Sequence, residues 1–212
     1  MGKFINGISA PFIGKVGTVS GSSRRGIPYM KGSYKPRKTN VSEKELRNRE
    51  KFKFTQAWLK PLLQVVRVGY KNYSVKSEGF VSAKSYLYKH ALKVEEETFS
   101  IDPGLMRISF GDLPLSGNAA VSLTGVHELT FTWDTENIDS VYKKDQVLMV
   151  AYNIAGEHVS YELNGQFRSV GKDVLRLFQD YKRGTILHVY IAFIAADRSR
   201  QSDSMYLGEI II

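Results

Sequence analysis

The chain has no cysteine. That excludes a disulfide framework and cysteine-based metal or redox chemistry, and it fits a reducing compartment. Acidic residues are missing from the front: residues 1–40 hold none, and residues 1–94 hold four, all Glu. Long apolar runs are also missing. No window approaches the roughly 18 apolar residues of a membrane-spanning helix, so no membrane span is expected. Between Met1 and Pro11 the apolar residues are interrupted by Asn6, Gly7 and Ser9. A signal peptide needs an unbroken apolar core of about 7–15 residues, so none is expected. The expected location is cytoplasmic, or within a virion or other assembly. Without a secretion signal, the acceptor-like triplets Asn40-Val41-Ser42 and Asn72-Tyr73-Ser74 carry no weight. There is no internal repeat and no low-complexity tract.

What is present divides by position. Residues 1–94 carry 20 Lys and Arg against 4 acidic residues, and residues 95–212 carry 10 against 17. The two stretches have net charges of +16 and −7, within an overall +9. A basic front joined to an acidic back predicts two modules with different surfaces. With 212 residues, 42% hydrophobic and 24% charged, the chain is long and apolar enough to bury a real core.

Local patterns predict an α+β protein. Val16–Val19 and Ile27–Met30 are β-prone, and Ser20–Gly26 between them predicts the tip of a basic hairpin. Ser33–Asn40, with Pro36 among basic residues, predicts an extended connector. Ser42-Glu43-Lys44-Glu45 fits a capping box. Apolar residues from Phe54 to Tyr73 then step by three and four, with a kink or a new helix expected near Pro61. A second helical pattern spans Phe80–Ala91.

From about residue 103 the period changes to two. Leu129, Phe131 and Trp133 alternate with threonines, and further runs follow at 147–154, 158–163, 174–177, 186–195 and 205–212. Short strands at this spacing predict an antiparallel β-sandwich. The expected organisation is a basic hairpin-and-helix module over 1–98 and a sandwich over 99–212, joined near Glu95–Pro103.

Leu129–Trp133, Val147–Tyr152 and His188–Ile194 resemble the B, C and F strands of a fibronectin type III-like (Ig-like) sandwich, with Asp197–Asp203 as the polar loop before the last strand. That resemblance implies architecture, not activity. The whole chain resembles a family of uncharacterised proteins from Bacteroidota. Carrying it are Gly14-Lys15-Val16-Gly17-Thr18-Val19, Arg25-Gly26-Ile27-Pro28, the Ser42–Phe52 helix start with Arg49, and Tyr206-Leu207-Gly208-Glu209. The basic connector followed by a capped helix is similar to small phage-encoded proteins, which implies an assembly role.

No catalytic constellation emerges. His90, His127, His158 and His188 lack metal-ligand spacing on any one element. Asp134, Glu136 and Asp139 lack the ligand order of an EF-type Ca²⁺ loop. Gly14, Gly17 and Gly21 match neither a Walker loop nor a dinucleotide site. Ser20, Ser22 and Ser23 have no partnered base, and turns account for them. No enzyme activity, catalytic residue, metal or cofactor is expected.

Two surfaces remain. Phe4, Ile5, Ile8, Phe12 and Ile13 form an apolar segment outside any strong element, expected either to complete the chain's own sheets or to contact a neighbouring copy. Arg24, Arg25, Lys31, Lys35, Arg37 and Lys38, interleaved with Tyr29 and Tyr34, form a basic patch. Its cations suit phosphates and its rings suit unpaired bases, while the plain alternative is a solubilising surface. Complementary halves favour head-to-tail association of copies. The primary expectation is therefore a non-enzymatic structural or assembly protein, a homo-oligomer or part of a larger protein complex. The alternative is a nucleic-acid-binding protein. A third class, a sandwich binding a carbohydrate or protein through its end loops, also stays open.

Overall fold

Two-residue turns shape the front of the chain. Gly17-Thr18 joins Val16 to Val19, with Gly17 at φ 54°, the left-handed backbone such a turn needs at its first position. A second turn joins Arg24 to Ile27, and there Gly26 takes φ 77°. The computed structural model describes residues 3–4, 11–24, 26–32, 40–74, 77–95, 98–136 and 138–212. It divides into two compact units, Met1–Leu46 and Arg47–Ile212.

The first unit holds an antiparallel sheet in sequence order: β1 (Lys3–Phe4), β2 (Phe12–Val16), β3 (Val19–Arg24) and β4 (Ile27–Gly32). This corrects two expectations. Ser20–Arg24 is strand rather than a loop at a hairpin tip, and Val16–Val19 contains a turn rather than a strand. The reason is that Gly17 reverses the chain early, which leaves Ser20 and Ser22 to pair with Lys31 and Tyr29. Phe4, Phe12 and Ile13 also belong to strands, through the pairs Phe4↔Phe12 and Lys3↔Ile13. The connector over 33–39 lies outside the described residues.

Helix α1 (Glu43–Leu59) starts where the capping box predicts. The Glu45 amide donates to the Ser42 side-chain oxygen at 3.3 Å. The helix ends ahead of Pro61, which has no amide hydrogen, and a short turn leads into α2 (Leu63–Gly69). Helix α3 spans Gly79–His90. Around the change of charge sign the chain forms a hairpin, β5 (Leu92–Val94) and β6 (Phe99–Ile101).

Seven more strands follow: β7 (Ala120–Gly125), β8 (Glu128–Thr132), β9 (Gln146–Asn153), β10 (His158–Glu162), β11 (Lys172–Arg176), β12 (Ile186–Ile194) and β13 (Met205–Ile211). They form two antiparallel sheets, ordered β10-β9-β12-β13 and β11-β8-β7. The chain is thus an α+β protein.

Strands β9 and β12 are buried on both faces. Val147, Met149, Ala151, Val189, Ile191 and Phe193 pack with Leu129 and Phe131 of the opposing sheet and with Trp133 just after β8. Leu148, Val150, Tyr152, Tyr190 and Ala192 face the other way, against Trp58, Leu62, Val66 and Leu87 of the helical layer. Burial on both sides is why these strands read as unbroken apolar runs. It also means that the helices of the basic half and the sheet of the acidic half share one core. Buried hydroxyls stitch the layers: Tyr152 donates to the Trp58 carbonyl at 2.8 Å, Tyr190 to that of Pro103 at 2.8 Å, and Tyr70 to that of Arg107 at 3.0 Å. Among the described residues, no helix is long and apolar enough to cross a membrane.

Candidate interaction surface

Register decides what each face of the β2–β4 sheet presents. Residues opposite one another in an antiparallel ladder share a face, and successive residues alternate. The pairs Lys15↔Ser20, Ser20↔Lys31, Ser22↔Tyr29 and Arg24↔Ile27 therefore place Lys15, Ser20, Ser22, Arg24, Ile27, Tyr29 and Lys31 on one face. The pairs Val16↔Val19, Gly21↔Met30 and Ser23↔Pro28 place those six residues on the other. One face is basic; the opposite one carries no charge.

The basic face has a trough. Its central strand offers only the small hydroxyls of Ser20 and Ser22, both half-buried. Lys15 rises on β2, and Lys31 and Tyr29 rise on β4, all exposed. Two strand spacings separate these walls by about 10 Å. Arg24 stands at one end, beside the second turn.

On the uncharged face, β2 bends at Gly14 (φ 111°) and Phe12 crosses Gly21, with its ring carbon Cδ2 2.8 Å from where a Cβ at Gly21 would lie. Within 11–24, 26–32 and 40–46, Gly21 is the only buried residue. Val16 is 45% exposed and Met30 71%, while Ile13, Ile27 and Tyr29 are exposed as well.

The β4 edge is blunted. Arg24 and Ile27 flank a two-residue turn and so exchange ladder bonds. The next residue, Pro28, then points its nitrogen away from β3, toward the free edge. A proline there removes a donor that an incoming strand needs.

Of the basic patch singled out in the sequence, Arg24, Tyr29 and Lys31 come together on one face. Arg25, Tyr34, Lys35, Arg37 and Lys38 lie outside the described residues. Lys15 joins the same face and was missed; nothing but the register across Ser20 brings it there. Of the apolar set, Ile5 and Ile8 lie outside the described residues, and Phe12 and Ile13 sit on β2.

The second unit holds three polar features. His188, in β12, has its Nδ1 3.0 Å from the Tyr206 hydroxyl and 3.7 Å from Glu209, on the wall of a cavity of about 530 Å³ with Pro103 and Ile154. Burial holds its imidazole below the ordinary value, and Glu209 opposes that shift. Arg168 and Asp145 form a buried pair at 3.9 Å, each side chain 4% exposed. The Arg168 guanidinium also lies 4.5 Å from the Phe193 ring and donates to the Pro114 carbonyl at 2.7 Å. Burial pushes the Asp145 carboxyl up and the Arg168 guanidinium down. An open cleft of about 400 Å³ is lined by Tyr73, Phe110, Lys71, Arg200 and Asp112 among others. Its polar groups are spent on the fold: Lys71 donates to the Arg198 carbonyl, and Arg200 pairs with Asp112 at 2.9 Å. Among the described residues, no three His, Asp or Glu side chains converge as a metal site.

A family model described as a family of unknown function, DUF6266, matches residues 11–208. The chain belongs to that family. The DUF6266 match opens one residue before β2, so it takes in the whole β2–β4 sheet with both of its faces, the three helices and the first four residues of β13. No curated protein and no solved structure matches the chain.

Proposed function

We propose that this DUF6266 protein is a non-enzymatic structural subunit that assembles with copies of itself through the sheet of its first unit. One observation carries the proposal: a sheet whose uncharged face exposes Val16, Pro28 and Met30, and which buries only Gly21 among the residues described above. A sheet is stable when a second layer covers its apolar face. With Pro28 blunting the β4 edge, a neighbour is received on the face rather than added as a strand. The occupant is a second copy, because the same uncharged face on each copy is self-complementary and two such faces cover each other. Repeated contacts between copies are in keeping with a phage-like or other multi-copy assembly in the cytoplasm or a virion.

The two large sheets are read as a fibronectin type III-like scaffold for that subunit. Supporting this are seven strands divided three and four, Trp133 buried directly after β8, and a polar loop before β13.

Sedimentation velocity over a concentration series tests the assembly. The natural chain is expected to exceed the 24.0 kDa monomer mass as concentration rises. The double variant Val16→Thr and Met30→Gln is expected to stay monomeric. A natural chain that remains monomeric at every concentration overturns the proposal.

A further inference from the structure

We infer that the basic face of the β2–β4 sheet binds single-stranded nucleic acid along the trough over Ser20 and Ser22. This goes beyond self-assembly and uses the opposite face. Lys15, Arg24 and Lys31 share the basic face with no carboxylate, since residues 1–42 contain none. A surface with cations and no acidic counterweight binds phosphates and releases their counterions. Lys15 and Lys31 lie on opposite walls of the trough, where two lysines are placed to grip one backbone from both sides.

The width selects the ligand. With the backbones of β2 and β4 about 10 Å apart, two strand spacings, the single row of small residues between them suits contact with one sugar-phosphate strand. A duplex, with its two backbones, rests on the rims instead. The floor is made of Ser20 and Ser22, small enough to leave the trough open and carrying hydroxyls that hydrogen-bond phosphate or sugar. Tyr29, 43% exposed on one wall and opposite Ser22, offers a ring on which an unpaired base stacks. Arg24 at the end of the trough adds a guanidinium suited to phosphate. The site therefore has a stacking platform and a phosphate clamp.

Fluorescence anisotropy with labelled dT20, measured on the monomeric Val16→Thr/Met30→Gln variant, separates this inference from self-assembly. Binding is expected, with log K falling against log salt at a slope of about −2 or steeper, from three or more phosphate contacts at about −0.7 each. Reversal of the face by Lys15→Glu, Arg24→Glu and Lys31→Glu is expected to weaken binding at least about tenfold. The exchange Lys15→Arg, Arg24→Lys and Lys31→Arg retains it, a check that does not depend on how well the reversed variant folds. Tyr29→Ala weakens binding about tenfold and Tyr29→Phe leaves it unchanged, since the ring supplies the stacking. Unchanged dT20 affinity after charge reversal overturns the inference. So does equal affinity for a 20-base-pair duplex, or capture by phosphatidylserine vesicles without binding of dT20.

Discussion

Phe12 lies across Gly21: its carbonyl oxygen and ring edge fill the space that a Cβ at Gly21 would need. The contact folds the start of β2 over the uncharged face and buries Gly21, the one buried residue among those described in this sheet. Gly21→Ala is therefore expected to displace Phe12 and loosen β2–β4, at a cost of about 1–3 kcal/mol from overpacking. Hydrogen exchange reads this directly. Amides of β2 and β3 should exchange faster while those of β9 and β12 keep natural protection. Uniform protection in both proteins would show that the Phe12–Gly21 contact does not hold the sheet.

The Tyr152 hydroxyl reaches the Trp58 carbonyl at 2.8 Å, and its ring meets the Trp58 indole edge-on at 5.3 Å. Tyr152→Phe keeps the ring contact and removes only the hydrogen bond between helix α1 and strand β9. The Trp58 carbonyl then loses that donor, which costs about 1–2 kcal/mol. Urea unfolding followed by tryptophan fluorescence measures it. An unchanged midpoint would mean that the hydroxyl contributes nothing to docking the helices.

His188 gives the stability a pH dependence of known sign. Burial lowers its folded-state pKa beneath the ordinary 6.5, so the unfolded chain binds the proton more tightly. Stability from this group is present above 6.5 and declines as pH falls below that value. His188→Gln keeps a polar partner for Tyr206 and removes the titration. The difference in urea midpoint between natural chain and variant should grow in the variant's favour on acidification from pH about 7 to about 5. A constant difference would show that His188 ionises equally well in both states.

Much of the scaffold was legible in local patterns. Ser42 and Glu45 announced the start of α1 because a cap is settled by residues three apart. Pro61 announced its end, since a proline inside a helix removes an amide donor and its ring crowds the preceding turn. The alternation of Leu129, Phe131 and Trp133 marked β8, and the apolar runs marked β9 and β12. The β5–β6 hairpin was hidden by its Glu95–Glu97 run, which reads as a solvated joint although Leu92↔Ile101 and Val94↔Phe99 pair across it. Ser20–Arg24 was hidden too, because serine and glycine resemble a loop until neighbouring strands supply their ladder bonds.

By itself, then, the sequence determined the acid-free front, the lack of thiol chemistry, the α+β order and the start and end of α1, because all of these depend on residue type or on neighbours a few positions away. Tertiary structure alone decided which residues share a surface. Lys15, Arg24, Tyr29 and Lys31 lie on one face because two-residue turns set the register of three strands, and a slip of one residue would have sent each to the opposite side. Packing likewise joined the helices of the basic half to a sheet of the acidic half, since apolar faces seek cover without regard to where net charge changes sign.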